Sequence, residues 1–329
     1  MTTALLFAAS GVLIVVAAEL FTNAVEWAGF LLGLTRGATG SLLAALGTSL
    51  PETAVPVVAL ATHSPSADSV AQGAVLGAPF LLLTIAAGIT GVAVWLRGGA
   101  RRLEADPSQT RRDLGVFLVA FSIALVAMAL PNWARIVVGV ALLGLYTAYV
   151  LATLRGGGAS TEMPEPLHII RWRSGPPTRL LVAVQLLVAV VLLVVGSELF
   201  IDALNRVATA LRIAALVLAL VVVPLATELP ETSNSVLWVR SRDDTLAFGN
   251  VAGSATFQAC VLGFLGVTFT SWNPGGAGVI SGLLTVASAA FLLIAMRRGP
   301  VRATVLMLAA LPWCGYAVGQ FVTGGRLGG

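Results

Sequence analysis

Apolar residues run along this chain in stretches of roughly twenty, the length of helix that crosses ~30 Å of hydrocarbon, and polar residues gather in the gaps between them. The pattern predicts helices at residues 4–28, 38–62, 70–96, 113–131, 135–154, 179–205, 213–238, 246–269, 278–296 and 303–322. Ten-residue stretches of strand-like alternation do not recur, so the expected fold class is an all-α polytopic membrane protein with ten transmembrane helices. The longest hydrophilic stretch, residues 155–178, is rich in Gly and Pro and reads as a linker. It separates a first five-helix repeat (1–154) from a second (179–329). The first span carries no basic leader and no small-residue cleavage pattern, and is expected to be a retained helix rather than a signal peptide.

One polar interruption stands out because it occurs twice. Pro224-Leu225-Ala226-Thr227-Glu228-Leu229-Pro230-Glu231-Thr232 lies inside an apolar span, and Gly47-Thr48-Ser49-Leu50-Pro51-Glu52-Thr53 repeats it at an offset of 230 − 51 = 179 residues. The same offset relates Glu19-Leu20-Phe21 to Glu198-Leu199-Phe200, which marks an internal duplication. Because each half holds an odd number of spans, the second copy enters the membrane upside down, giving two inverted five-helix repeats. Substrate sites of transporters so built lie near the midplane where the repeats meet.

Composition supports the membrane reading and removes others. With 57% hydrophobic and 10% charged residues, a soluble domain is excluded. All 19 basic residues are Arg, and assigning them by span puts 15 on one side and leaves Arg135, Arg206, Arg212 and Arg326 on the other. By the positive-inside rule the linker is cytoplasmic and both termini are extracytoplasmic, as for a protein of the cell (inner) membrane. The basic excess therefore reflects topology in a lipid bilayer, and no nucleic-acid partner is expected.

The repeated interruption has the chemistry of a cation site. Proline lacks the helical N–H, so Pro51 frees the carbonyl of Gly47 and Pro230 that of Ala226. With the carboxylates of Glu52 and Glu231 and the hydroxyls of Thr48 and Thr227, these make a set of hard oxygen ligands suited to Ca²⁺ or Na⁺. Proline kinks alone are common in membrane helices. They do not account for Glu52, Glu228 and Glu231, since a charged side chain at the bilayer centre costs roughly 2.5–3.5 kcal/mol even on the lenient insertion scale. Crowded carboxylates of this kind are expected to keep at least one proton when no cation is bound.

A second pair of elements follows, Gly73-Ala74-Val75-Leu76-Gly77-Ala78 and Gly249-Asn250-Val251-Ala252-Gly253-Ser254, each with a Gly-xxx-Gly that should press its helix against the neighbouring Pro-Glu helix. In the second half Asn250, Ser254 and Gln258 form one polar stripe; the matching stripe of the first half, Ala74, Ala78 and Leu82, is apolar. The site is expected to be asymmetric.

Together these residues resemble the calcium/cation antiporter superfamily, which includes the sodium/calcium exchangers and whose repeats read roughly G-T-S-x-P-E followed by G-N-x-x-G-S-N-x-x-N. Gly47, Thr48, Ser49, Pro51 and Glu52 match the first motif, Thr227, Pro230 and Glu231 its second copy, and Gly249, Asn250, Gly253 and Ser254 the later element. The resemblance covers the ten-helix layout and implies an alternating-access antiporter, with Glu52 and Glu231 as Ca²⁺ carboxylates flanked by Thr48, Ser49 and Thr227. The chain also departs from the family pattern. Ala74, Ala78, Pro79, Leu82 and Ala255 replace its Asn and Ser residues, Gln258 stands where Asn or Asp is expected, and Glu228 replaces the Ser of the second G-T-S. Neutral oxygen ligands have been lost and a carboxylate gained.

The reading is a secondary antiporter exchanging Ca²⁺ or a related inorganic cation for Na⁺, with an H⁺-coupled exchanger as the alternative and a cation channel behind both. The chain is not expected to be an enzyme or to carry a cofactor, since no Ser/His or Ser/Lys pair, HExxH or paired-Asp motif is visible. Glu19, Asn23 and Glu26, and Glu198, Asp202 and Asn205, form helical stripes that suit either a vestibule or interfacial capping. Asp243 and Asp244 with Arg240 and Arg242 read as a solvated loop, His63 and His168 as loop residues too far apart to form a dyad, and Cys260 and Cys314 as lone packing residues without a disulfide.

Overall fold

The computed structural model describes residues 2–31, 49–62, 66–155, 165–170 and 176–323. Helices α1 (Thr2–Leu31), α2 (Leu50–Ala61), α3 (Ala67–Leu96), α4 (Pro107–Ala129) and α5 (Asn132–Arg155) form the first half. The second holds α6 (Arg179–Leu211), α7 (Ala215–Thr227), α8 (Leu229–Arg240), α9 (Asp244–Phe269), α10 (Gly275–Met296) and α11 (Ala303–Val322). Eight of these are long and apolar enough to cross a membrane, or nine if α7 and α8, bent by 44° at Glu228, make one broken span. The chain is therefore all-helical and polytopic. The expected span at 38–62 is described only from α2 onward, and Gly47, Thr48, His63, Arg36, Arg171, Arg173 and Arg326 lie outside the described residues.

Where helix ends differ from the hydropathy pattern, capping accounts for the difference. Helix α4 begins six residues before the expected 113 because Asp106 caps it, accepting from the Ser108 amide at 2.8 Å, with Pro107 in the first turn. Its first turns are polar and therefore invisible to an apolar count. Helix α6 runs past the expected 205 to Leu211 and stops at Arg212, which adopts the left-handed conformation (φ 55°) of a helix end.

The interior is built on α3 and α9, the most buried of the long apolar helices. Each is interrupted by one π-helical turn, at Leu82–Ala86 and Gln258–Leu262, which start 258 − 82 = 176 residues apart. Asp68 and Asp244, also 244 − 68 = 176 apart, sit in the first turn of each. Asp68 accepts from the Ser271 amide (2.7 Å) and hydroxyl (2.6 Å) just beyond the end of α9. Asp244 receives both terminal nitrogens of Arg97, at the end of α3, and the Glu104 amide at 2.7 Å. The start of each helix is thus fastened to the end of the other, and α3 and α9 run antiparallel. Asp244 does not belong to a solvated loop as expected: it is 5% exposed and is satisfied by the Arg97 ion pair and the Glu104 amide, whereas Asp243 is exposed and caps α9. A two-residue ladder pairs Arg102 with Arg302 and Leu103 with Val301 at that end of the bundle.

Close packing joins the halves. A Cβ at Gly73 would lie 2.5 Å from Ala219 Cβ, and one at Gly77 would collide with the Leu220 carbonyl oxygen and sit 2.8 Å from Pro224 Cγ. The first Gly-xxx-Gly therefore presses α3 onto α7, just ahead of the Pro-Glu break. The second does not match it: among the described residues, Gly249 meets only the flexible end of Gln109 and Gly253 only the Tyr149 hydroxyl at 4.0 Å. Gly77→Ala is expected to cost about 1–3 kcal/mol by overpacking and to lower the melting temperature of the detergent-solubilised protein by several degrees. Gly115→Ala, where a Cβ meets nothing within 4 Å among the described residues, should leave it unchanged or slightly raised. Equal losses at both positions would contradict this packing account.

Candidate cation site

Two matched chain breaks build the site. Ser49 precedes α2 at φ −89°, ψ 16°, and Glu228 precedes α8 at φ −90°, ψ 6°, so the two N-cap positions of the repeat share one backbone geometry. Pro51 and Pro230 then stand in the first turn, where a missing N–H costs nothing. This changes how Ala226 offers its carbonyl. It lies in the last turn of α7, whose carbonyls lack helical partners whether or not a proline follows. The breaks also put Glu52 and Glu231 in the positive first turn of a helix, which favours their negative charge.

The folded chain brings three acids together. Glu52, Glu228 and Glu231 are each fully buried, and one carboxylate oxygen from each lies within 4.8 Å of the others. Gln258, in the π-turn of α9, donates from Nε2 to Glu228 Oε1 at 2.9 Å and to Glu52 Oε1 at 3.2 Å, and so links the two chain breaks. Its counterpart Leu82 is also buried and has nothing to donate. Around this cluster Glu52 Oε2, Glu228 Oε2, Gln258 Oε1 and Ser49 Oγ are buried without a hydrogen-bond partner among the described residues. Each unsatisfied buried polar atom costs about 1–3 kcal/mol. Four such oxygens at one spot fit an oxygen-seeking cation.

The remaining candidates stand further out. Thr227 is buried, and its hydroxyl donates back to the Val223 carbonyl at 3.2 Å. Asn250 donates to the Glu231 carbonyl at 2.9 Å and to Ser235 Oγ at 3.1 Å, holding the backbone of α8 rather than the carboxylates. Ser254 is buried one turn before Gln258. The stripe Asn250, Ser254, Gln258 thus divides its work along α9: Gln258 donates to the carboxylates and Asn250 to the backbone of α8.

The outer acidic stripes separate. Asp202 pairs with Arg206 on the surface at 2.9 Å, and Asn205 Oδ1 accepts from Ser66 at 2.7 Å. On α1, Asn23 is buried in a polar network with Gln185 and the linker segment 165–170. The sequence carried no signal for that contact beyond the presence of a Gln in an apolar helix. Cys260 is buried and Cys314 exposed, and both are free.

Known proteins share this architecture. A sequence model of the family described as "Sodium/calcium exchanger protein" matches residues 2–155 and 181–322. The "Uncharacterized membrane protein MJ0091" of Methanocaldococcus jannaschii is 25% identical over 215 residues, which span 65% of this chain and 65% of that relative. Among solved structures, the H⁺/Ca²⁺ exchanger CAX superposes with a TM-score of 0.74 at 19% identity, covering 98% of this chain and 88% of the other. The sodium-calcium exchanger NCX_Mj gives a TM-score of 0.63 at 20% identity, covering 97% and 98%. The chain therefore belongs to the sodium/calcium exchanger protein family.

Proposed function

We propose that this protein exchanges Ca²⁺, or a cation of similar chemistry, for protons by alternating access, with Glu52, Glu228 and Glu231 as the shared site. The observation that carries this is the convergence of three buried carboxylates from two chain breaks. Within 4.8 Å, two carboxylate charges repel by about 3.5 kcal/mol even at an effective dielectric constant of about 20. All three cannot stay charged without a cation among them, so binding a divalent ion and shedding protons are one event. The second reading, Na⁺ as counter-ion, rests on the resemblance to sodium/calcium exchangers. The site's composition weighs against it, since the neutral ligands of that pattern are replaced by Ala74, Ala78 and Leu82 and a third acid is present.

The ligand set then comprises the three glutamates with Gln258, Ser49 and the Ala226 carbonyl, with Thr227 beside it. Asn250 supports Glu231 through its backbone. Two inverted five-helix repeats joined by the 155–178 linker are supported by the antiparallel course of α3 and α9 and by the shared 176-residue offset of their π-turns and aspartates. The arginine split supports a cytoplasmic linker and extracytoplasmic termini in a cell membrane.

The test is ⁴⁵Ca²⁺ uptake by proteoliposomes under an opposed pH gradient, an opposed Na⁺ gradient, or neither. Uptake driven by internal acid, with little response to internal Na⁺, is expected. Rapid uptake with neither gradient would mark a channel and overturn the proposal, and uptake driven by Na⁺ alone would replace the proton with Na⁺. In the same assay Gln258→Leu should reduce uptake at least tenfold and Asn250→Ala severalfold, whereas Leu82→Ala and Ala74→Gly cost stability rather than transport. Equal losses in both sets, at equal protein levels, would contradict the asymmetry.

A further inference from the structure

A cleft of about 690 Å³ opens between α1, α8 and the linker. Its wall includes Leu229 and Pro230, next in the chain to Glu228 and Glu231, and Ser233 and Asn234 one turn further along α8. Glu19 and Glu26 line it from α1, and Glu165 and His168 from the linker. The linker does not rest there loosely. The Glu165 carbonyl accepts from Trp27 Nε1 at 2.8 Å and from Asn23 Nδ2 at 3.2 Å. The His168 amide donates to Asn23 Oδ1 at 3.1 Å and the Ile169 amide to Gln185 Oε1 at 3.1 Å, while Gln185 Nε2 also reaches Asn23 Oδ1 and the Leu20 carbonyl. Leu167 is buried with Ala24, Trp27 and Val182 beneath these bonds.

We infer that this cleft is the cation's way to the carboxylates from the linker's side of the membrane, and that the linker segment 165–170, bolted to α1 and α6, is a built part of its mouth. The inference rests on the proposed function for what travels through the cleft, but the continuity of the cleft with the break at Leu229–Pro230 stands on geometry alone. Three carboxylates on the wall, with low-dielectric helices behind them, focus a negative potential that concentrates cations ahead of the site. Glu19, Glu26 and Glu165 act there by steering, not by holding an ion.

The experiment reads access without needing transport. In a Cys260→Ala/Cys314→Ala background, Ser233→Cys, on the exposed wall of the cleft, is labelled by a cationic or an anionic methanethiosulfonate added to one side of sealed vesicles. From the linker's side the cationic reagent should react about tenfold faster than the anionic one. Replacing Glu19, Glu26 and Glu165 together with Gln should remove most of that ratio, and Glu165→Gln alone part of it. The triple variant should also raise the apparent KM for Ca²⁺ severalfold from that side only, with kcat unchanged. Labelling only from the opposite side, or not at all, would overturn the entrance. Equal rates for the two reagents in the parent protein would overturn the steering, and a ratio insensitive to Glu165→Gln would remove the linker from the mouth. If labelling behaves as expected while the parent shows no exchange, the proposed function fails and the entrance stands.

Discussion

Glu52→Gln and Glu231→Gln are each expected to lower cation exchange more than a hundredfold while leaving the protein folded. The substituted amide keeps the shape of the side chain and one oxygen, but removes the charge that a divalent cation needs from a site closed to water. Both residues are fully buried, and each stands in the first turn of a helix that begins at a proline. Neither substitution leaves a cavity, and each lessens repulsion within the cluster, so melting temperatures without cation should equal or exceed that of the parent. The parent should gain stability as Ca²⁺ is added, by about 2.7 kcal/mol at a hundredfold excess over Kd, and the variants should gain none. Near-normal exchange by either purified variant, or an unchanged gain in stability with Ca²⁺, would remove that residue from the site.

Glu228→Ser should change what drives transport rather than whether transport occurs. Ser49 occupies the equivalent N-cap with the same backbone angles, so the substitution makes the two breaks alike and removes the third carboxylate. In the parent, protons occupy the cluster as pH falls and compete with the cation, so apparent affinity for Ca²⁺ should weaken toward acid pH. With two acids left, that dependence should flatten, and an opposed Na⁺ gradient should drive a larger share of the uptake. An unchanged pH profile in Glu228→Ser would assign Glu228 to coordination or structure and leave the proton without a carrier. Gln258 would still bridge to Glu52 in this variant, so loss of the break itself is not expected.

How far the sequence could be read depended on the kind of signal each feature carries. The spans were legible because an apolar run of membrane length is costly to place anywhere but in lipid, and the break was legible because a Pro-Glu pair recurs at a fixed offset. Glu52, Glu228 and Glu231 converge because the two breaks meet in the folded chain. What the sequence hid was pairing between distant segments. Asp244 sits beside Asp243, Arg240 and Arg242 and looks solvated, yet its partner Arg97 is 147 residues away and buries it. Asn23 reads in sequence as one member of a stripe with Glu19 and Glu26, and its partners, Gln185 and the linker backbone, lie far along the chain. The two π-turns leave no mark in composition, although one of them presents Gln258 to the acids. The Gly-xxx-Gly pairs look equivalent in sequence, yet the first is pressed against the backbone of a neighbouring helix, whereas the second meets side-chain ends among the described residues.

The central claim is that one buried cluster holds either a divalent cation or protons. It is tested most directly by adding Ca²⁺ to the purified protein in weakly buffered detergent solution while bound ⁴⁵Ca²⁺ and released protons are counted together. Each bound Ca²⁺ should release on the order of one proton from the parent, and Glu231→Gln should show neither binding nor release. Binding without proton release, or undiminished binding by Glu231→Gln, would contradict it.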